Sequence, residues 1–272
     1  MVVYAGQGDA RRSMSLLWRS AAPQEPGRTP GPGPRPGLTV DAIVAAAIAV
    51  ADEDGMAALS MRAVGERVGR TAMALYTYVP GKSELLDLMY DAVHAELPGD
   101  RPAGGDWRTE LTRWAQDTLA FFLRHPWVLQ VSQARPVLGP HEYAALDTLV
   151  RCLYGTGLDA AVLRRLVGTL FHFVRGAAQT VADAREAASA TGRPDEEWWY
   201  ARSAALVELV PDFADRYPEL SRMERESAPP QPTGDDTVPY PEREARETFT
   251  AGLDVLLDGI GAAVLRGRGP GA

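Results

Sequence analysis

Residues 59–82 read LSMRAVGERVGRTAMALYTYVPGK, and this stretch decides the fold. Ser60 is a good helix N-cap, and a short helical run over 61–68 follows it until Gly69 breaks it. Thr71 caps a second run over 72–79, which Pro80-Gly81 ends. Gly69 stands in the Val68-Gly69-Arg70 turn, where the chain needs a residue free of Cβ strain. Upstream, Thr39 caps a helix over 40–54 with Ile43, Ala47 and Val50 on one face, and Gly55 stops it. Ala63, Val64 and Val68 can pack on that face. Downstream, Ser83 and Glu84 open a helix that runs to about Leu97, before Pro98-Gly99. Two short capped helices on a supporting helix have the pattern of a helix-turn-helix.

Charge is concentrated in the same stretch. It holds Arg62, Arg67, Arg70 and Lys82 against the single acid Glu66, a net of +3 in a chain of net charge -8. Small or polar side chains at the start of the second helix, Thr71, Ala72, Met73 and Ala74, let that helix lie deep in a major groove. Tyr76, Thr77 and Tyr78 are placed to reach phosphates or thymine methyls. Lys82, with the amides of the next helix start, is placed to hold one phosphate. Ser60, Met61, Arg62 and Arg70 complete the candidate DNA-binding set.

Outward from this point almost everything has helical period, and no alternating strand pattern occurs. Helices are expected over 106–124, 142–154, 158–190, 198–209 and 242–266. The expected architecture is all-α, with a helix-turn-helix domain over 38–97 and a larger helical effector-binding and dimerisation domain over 98–268. Residues 1–37 are rich in Pro and Gly without apolar period, and read as a disordered tail. Residues 227–241 carry Pro229-Pro230, Pro232, Pro239 and Asp235-Asp236, and read as a mobile loop.

The run from Leu38 to about Leu97 resembles the DNA-binding domain of the tetracycline-repressor (TetR) family. The carriers are Asp54-Gly55, Leu59-Ser60-Met61-Arg62-Ala63-Val64, Val68-Gly69, Leu75-Tyr76-Thr77-Tyr78-Val79 and Gly81-Lys82-Ser83-Glu84-Leu85-Leu86. The resemblance extends more weakly into the C-terminal part, where residues 107–125 and Arg135-Pro136 are similar to the tetracycline repressor that gives the family its name. It implies that His125 matches a histidine that helps to hold drug-bound magnesium there. Other drug-contacting positions of that repressor depart here, so recognition of a tetracycline–magnesium chelate is not expected, and neither a metal nor a cofactor is assigned.

The resemblance implies a homodimer that reads an inverted-repeat operator in double-stranded DNA and is released by a small-molecule effector. The residues give their own reason for a dimer. Phe249, Leu253, Leu256, Leu257, Ile260 and Val264 form an apolar stripe, and 158–190 is apolar beyond one narrow face, a surplus that covers a partner. Candidate effector contacts are aromatic with a few polar groups: Trp114, Thr118, Phe121, His125, Trp127, Gln130, Phe171, His172 and Arg175. Such a site suits a mostly apolar molecule.

Composition excludes several other classes. A lone Cys152 makes an internal disulfide or a cysteine zinc site impossible. No eighteen-residue apolar run exists, and the apolar start at residues 14–18 is too short for a signal peptide, so a cytoplasmic protein without membrane contact is expected. No H-E-x-x-H, G-x-S-x-G or P-loop motif occurs, and the four histidines are scattered, so no enzyme is expected. Two alternatives stay open: an all-α small-molecule-binding protein with a non-functional head, and a DNA-binding activator without effector.

Overall fold

A computed structural model describes residues 2–19, 37–99, 105–227 and 238–267. Among the described residues there are twelve α-helices, one 3-10 turn and no strand; a single parallel bridge joins Val3 and Val131. In chain order the helices are α1 (Ala10–Leu17), α2 (Val40–Asp54), α3 (Met61–Arg67), α4 (Ala72–Leu75), α5 (Lys82–His94), α6 (Trp107–Arg124), α7 (Pro140–Tyr154), α8 (Ala160–Thr191), α9 (Asp195–Leu209), α10 (Phe213–Arg216), α11 (Pro218–Glu226) and α12 (Tyr240–Gly267). The 3-10 turn, Pro126–Gln130, follows α6 directly. The all-α expectation holds.

The described chain divides into two compact units. The first comprises residues 1–178 and 253–272, the second 179–252. In the first unit, the helix starts follow from their caps. Thr39, Ser60 and Thr71 accept from the amides of Ala42, Ala63 and Ala74, at 3.1, 3.1 and 3.3 Å. Each cap satisfies an amide with no partner inside its own helix. Ile43, Val44, Ala47 and Val50 of α2 then close with Leu59, Val64, Leu75 and Val79 into a small head core. Helix α5 packs against α1, α2 and α7, and every side chain from Glu84 to Asp91 is buried.

Residues 2–19 differ from the disordered tail expected over 1–37. Asp9 caps α1 by accepting from the Arg12 amide, and Ala5 and Leu17 are buried. This order comes from contacts made far away in sequence, which Pro and Gly content cannot register. Residues 20–36 lie outside the described residues.

In the second unit Glu242 is buried and accepts from Arg185 Nε and Arg246 Nε, both at 2.9 Å. Helices α9, α10 and α11 bury no residue. Helices α10 and α11 were not expected; α11 starts on a proline at its first turn, a position that suits proline. Of the loop expected over 227–241, residues 228–237 lie outside the described residues, and Tyr240 already begins α12. Helix α12 is long and apolar enough to cross a membrane by length and composition alone. Its Leu253, Leu257, Ile260 and Val264 are buried along one face, and its Asp258 pairs with Arg108 at 2.7 Å, as in a core helix of a water-exposed fold.

Candidate functional site

The turn between α3 and α4 is closed by two backbone hydrogen bonds. The Arg70 amide donates to Gly65 O at 2.8 Å and the Gly69 amide to Glu66 O at 3.2 Å. Gly69 has φ +66°, the left-handed conformation this helix ending needs. Gly65 is demanded for a different reason: a Cβ there would lie 2.7 Å from Arg70 O. The turn folds back onto the helix that close. Sequence reasoning found Gly69 and missed Gly65, which looks like an ordinary glycine inside a helix.

This closure leaves one face of the head outward. Ser60, Arg62, Arg70, Thr71, Met73, Tyr76, Thr77, Tyr78 and Lys82 are exposed, and Ala72 and Ala74 are half-buried. Met73 is 75% exposed, a state that an apolar side chain keeps only where it serves no core. Met61 departs from the expected set: it is buried, because the first residue after the Ser60 cap turns into the head core. Arg62 pairs with Glu66 across one helical turn at 2.8 Å, and both are largely exposed, so the pair holds Arg62 weakly. Arg67 pairs with Glu53 of α2 at 2.7 Å. Lys82 donates to Leu59 O at 2.7 Å, which ties the start of α5 to the start of the helix-turn-helix.

The expected effector residues fall into three groups. Trp114 and Phe171 meet edge-on, with ring centroids 5.3 Å apart. Thr118 and Phe121, on the same helix as Trp114, are buried, and the Thr118 hydroxyl has no hydrogen-bond partner among the described residues. The Phe121 ring meets that of His94 at a tilt, with centroids 5.0 Å apart, and His94 meets Tyr90 likewise at 4.5 Å. Burial holds His94 down to about 4, and pushes the Tyr90 phenol above its usual range.

The second group adjoins the first, the His125 ring lying 5.7 Å from that of Phe121. His125 and Trp127 are buried, but they converge on Asp52 of α2. His125 Nδ1 lies 2.9 Å from Asp52 Oδ1, and Trp127 Nε1 donates to the same oxygen at 2.8 Å. His125 Nε2 faces Glu96 at 3.2 Å without hydrogen-bond geometry. These residues therefore form a joint between the head and the helical core. Arg175 closes the same region. It is half-buried, donates to Val131 O at 2.9 Å and to Leu129 O, and burial lowers its pKa. The third group, Gln130 and His172, is exposed. Asp52 was missed in the sequence, where it reads as one more acid beside Glu53 and Asp54 at a helix end.

The arrangement defines a class: an all-helical protein with a helix-turn-helix head joined through one buried helix to a larger core. Comparison with known proteins identifies it further. Residues 43–89 match the family description "Bacterial regulatory proteins, tetR family", and residues 98–264 match "Tetracyclin repressor-like, C-terminal domain". The HTH-type transcriptional repressor DrrR1 of Streptomyces coeruleorubidus is 37% identical over 270 residues, covering 98% of this chain and 92% of that protein. A solved TetR regulator of Streptomyces coelicolor is 26% identical with a TM-score of 0.59, over 83% of this chain and 98% of that one. ActR of the same organism, solved with actinorhodin, has a TM-score of 0.66 at 23% identity, over 84% of this chain and 98% of its own. The chain belongs to the TetR family. It is a DNA-binding transcriptional regulator and not an enzyme.

Proposed function

We propose that the protein is a homodimeric repressor that binds an inverted-repeat operator and is released by a small, mostly apolar effector. The observation that carries the DNA half is the exposed surface of α4 and of the residues that flank it. Thr71, Met73, Tyr76, Thr77 and Tyr78 all point away from the head core, beside the exposed guanidinium groups of Arg62 and Arg70. A short helix with small residues at its start enters a major groove, and the flanking cations and hydroxyls hold phosphates. In this reading Ser60, Ala72, Ala74 and Lys82 complete the contact, and Met61 supports it from inside.

A dimer is supported by apolar surface that the first unit leaves open. Val255 and Leu265 on α12 are 71% and 72% exposed, on the side away from the buried Leu253 and Leu257. Paired copies would set two α4 helices into successive major grooves, so the operator is two-fold symmetric. The effector half rests on Trp114, Phe171, Phe121 and the unpartnered Thr118 hydroxyl. These side chains are apolar with one hydroxyl among them, the composition such sites have. DrrR1 is named a repressor, and ActR was solved with actinorhodin, which makes that compound the first effector to try. Such a regulator acts in the cytoplasm.

The test is selection from a random duplex pool by the purified protein. An enriched inverted repeat, bound with affinity that falls linearly in log salt, is the expected result. Recovery of no motif would refute the repressor reading, and a motif that no compound releases would refute its effector half.

A further inference from the structure

The segment ahead of the matched family region is built into the molecule at four points. Val3 pairs with the strand-like stretch after the 3-10 turn: its amide donates to Gln130 O at 2.8 Å, and its carbonyl accepts from Ser132 at 2.7 Å. The Gly6 amide donates to Asp87 Oδ1 of α5 at 2.8 Å. Trp18 Nε1 donates to Leu138 O at 3.0 Å, ahead of α7. Arg19 pairs with Asp41 of α2. Between these points Gly8 crosses so close over Glu84 that a Cβ there would collide with its carboxylate. Ala5 and Leu17 are 1% and 4% exposed, so the segment is covered as a core element is.

We propose that residues 2–19 are an intramolecular strap that holds α5 in place, and so sets how freely the DNA-reading head moves against the effector core. The physical argument rests on what the strap spans. It touches the head at Asp41, the core at Gln130–Ser132 and Leu138, and α5 between them at Glu84 and Asp87. A charge-bearing side chain as buried as Asp87, 2% exposed, needs a donor, and the strap supplies one. Burial raises the Asp87 pKa and the Gly6 amide opposes that rise, so the contact stabilises the ionised carboxylate. Releasing the strap uncovers this carboxylate to water and frees the first half of α5. A head that then samples more positions matches two successive grooves less often, and apparent operator affinity drops by that fraction.

The operator part of this inference rests on the proposed repressor reading; the part concerning α5 does not. The test uses the full chain carrying Ala5→Asp and Leu17→Asp together. Gly8→Val is a second variant that acts chiefly through the Glu84 carboxylate, with the Ser13 hydroxyl beside it, and thermal melts show that each folds. Trypsin cleavage at Arg11, Arg12 and Arg19 reads release of the strap. Hydrogen exchange over Lys82–His94 reads its hold on α5. The expected result is faster cleavage, exchange over α5 raised by at least about tenfold, and operator dissociation constants raised by at least about fivefold. Faster cleavage with unchanged exchange over α5 overturns the strap. Faster exchange with operator affinity within about twofold of the parent overturns its hold on the head. If the parent binds no duplex at all, the repressor reading fails, and the exchange result alone upholds or overturns the hold on α5.

Discussion

His94, the last residue of α5, makes stability depend on pH in a way that can be worked out in advance. It is buried between Tyr90 and Phe121, and its Nδ1 lies 2.7 Å from Tyr90 O. Burial holds its pKa to about 4, against 6.5 for the free group. Between those values the unfolded chain binds more protons than the folded one, so stability falls as pH drops from 6.5 toward 4. One pKa unit corresponds to about 1.4 kcal/mol, so going from pH 7 to pH 5 removes about 2 kcal/mol through this residue. Asp87, Asp91 and Glu142 act in the opposite sense. Burial raises all three, so the stability they contribute is full at low pH and is lost as pH rises through their folded values. Comparison with His94→Phe cancels those shared contributions and keeps an aromatic ring against Tyr90 and Phe121. Urea unfolding at pH 7, 6 and 5 should show the parent losing about 2 kcal/mol relative to the variant across the series. A difference between the two that stays constant with pH, within about 0.5 kcal/mol, would show that the imidazole is not desolvated in the fold.

Four further outcomes follow from named contacts. Gly65→Ala sets a Cβ against Arg70 O, and overpacking of this kind costs about 1–3 kcal/mol, read as a lower melting temperature and weaker operator binding. Thr71→Ala removes the cap of α4, which costs about 1 kcal/mol in the head and should lower operator affinity at every salt concentration. Asp52→Ala strands the buried Trp127 Nε1, at about 1–3 kcal/mol in a melt, and should weaken effector-driven release more than effector binding itself. Thr118→Val removes a buried hydroxyl without a partner, so the protein should be no less stable, by urea titration, while effector affinity falls; unchanged effector affinity would remove Thr118 from the site.

The parts of this fold that were legible are those fixed by short-range chemistry. Thr39, Ser60 and Thr71 cap as their sequence positions require, and Gly69 adopts the positive φ its turn demands. The long helices follow from apolar period. What was not legible depends on contacts between distant residues. Nothing near Gly6 announces Asp87, eighty-one positions away, so the strap reads as a tail until the two are brought together. Met61 and Arg62 are neighbours in a DNA-facing motif, yet helical rotation buries one and exposes the other. His125 has the residue type of a ligand contact, and only the fold shows its ring committed to Asp52.

These contacts also limit how the head can be moved. Helix α5 carries its buried carboxylates outward to different neighbours: Asp87 to the Gly6 amide, and Asp91 to the amides of His141 and Glu142, both at 2.9 Å. Hydrogen bonds to charged groups are worth about 1.5–3 kcal/mol each. An effector that binds one state a hundredfold better than the other supplies about 2.7 kcal/mol. That is enough to break one of these attachments and too little to break all of them. On the proposed repressor reading, release therefore pivots α5 about the attachments that remain. At its other end α5 is joined to α6 by the ring contact of His94 with Phe121 and, just beyond, by the pairing of Glu96 with Arg124 and His125. Phe121 lies on α6 one turn beyond Thr118, so on the proposed reading a molecule seated against Thr118 acts on α5 through the Phe121–His94 contact.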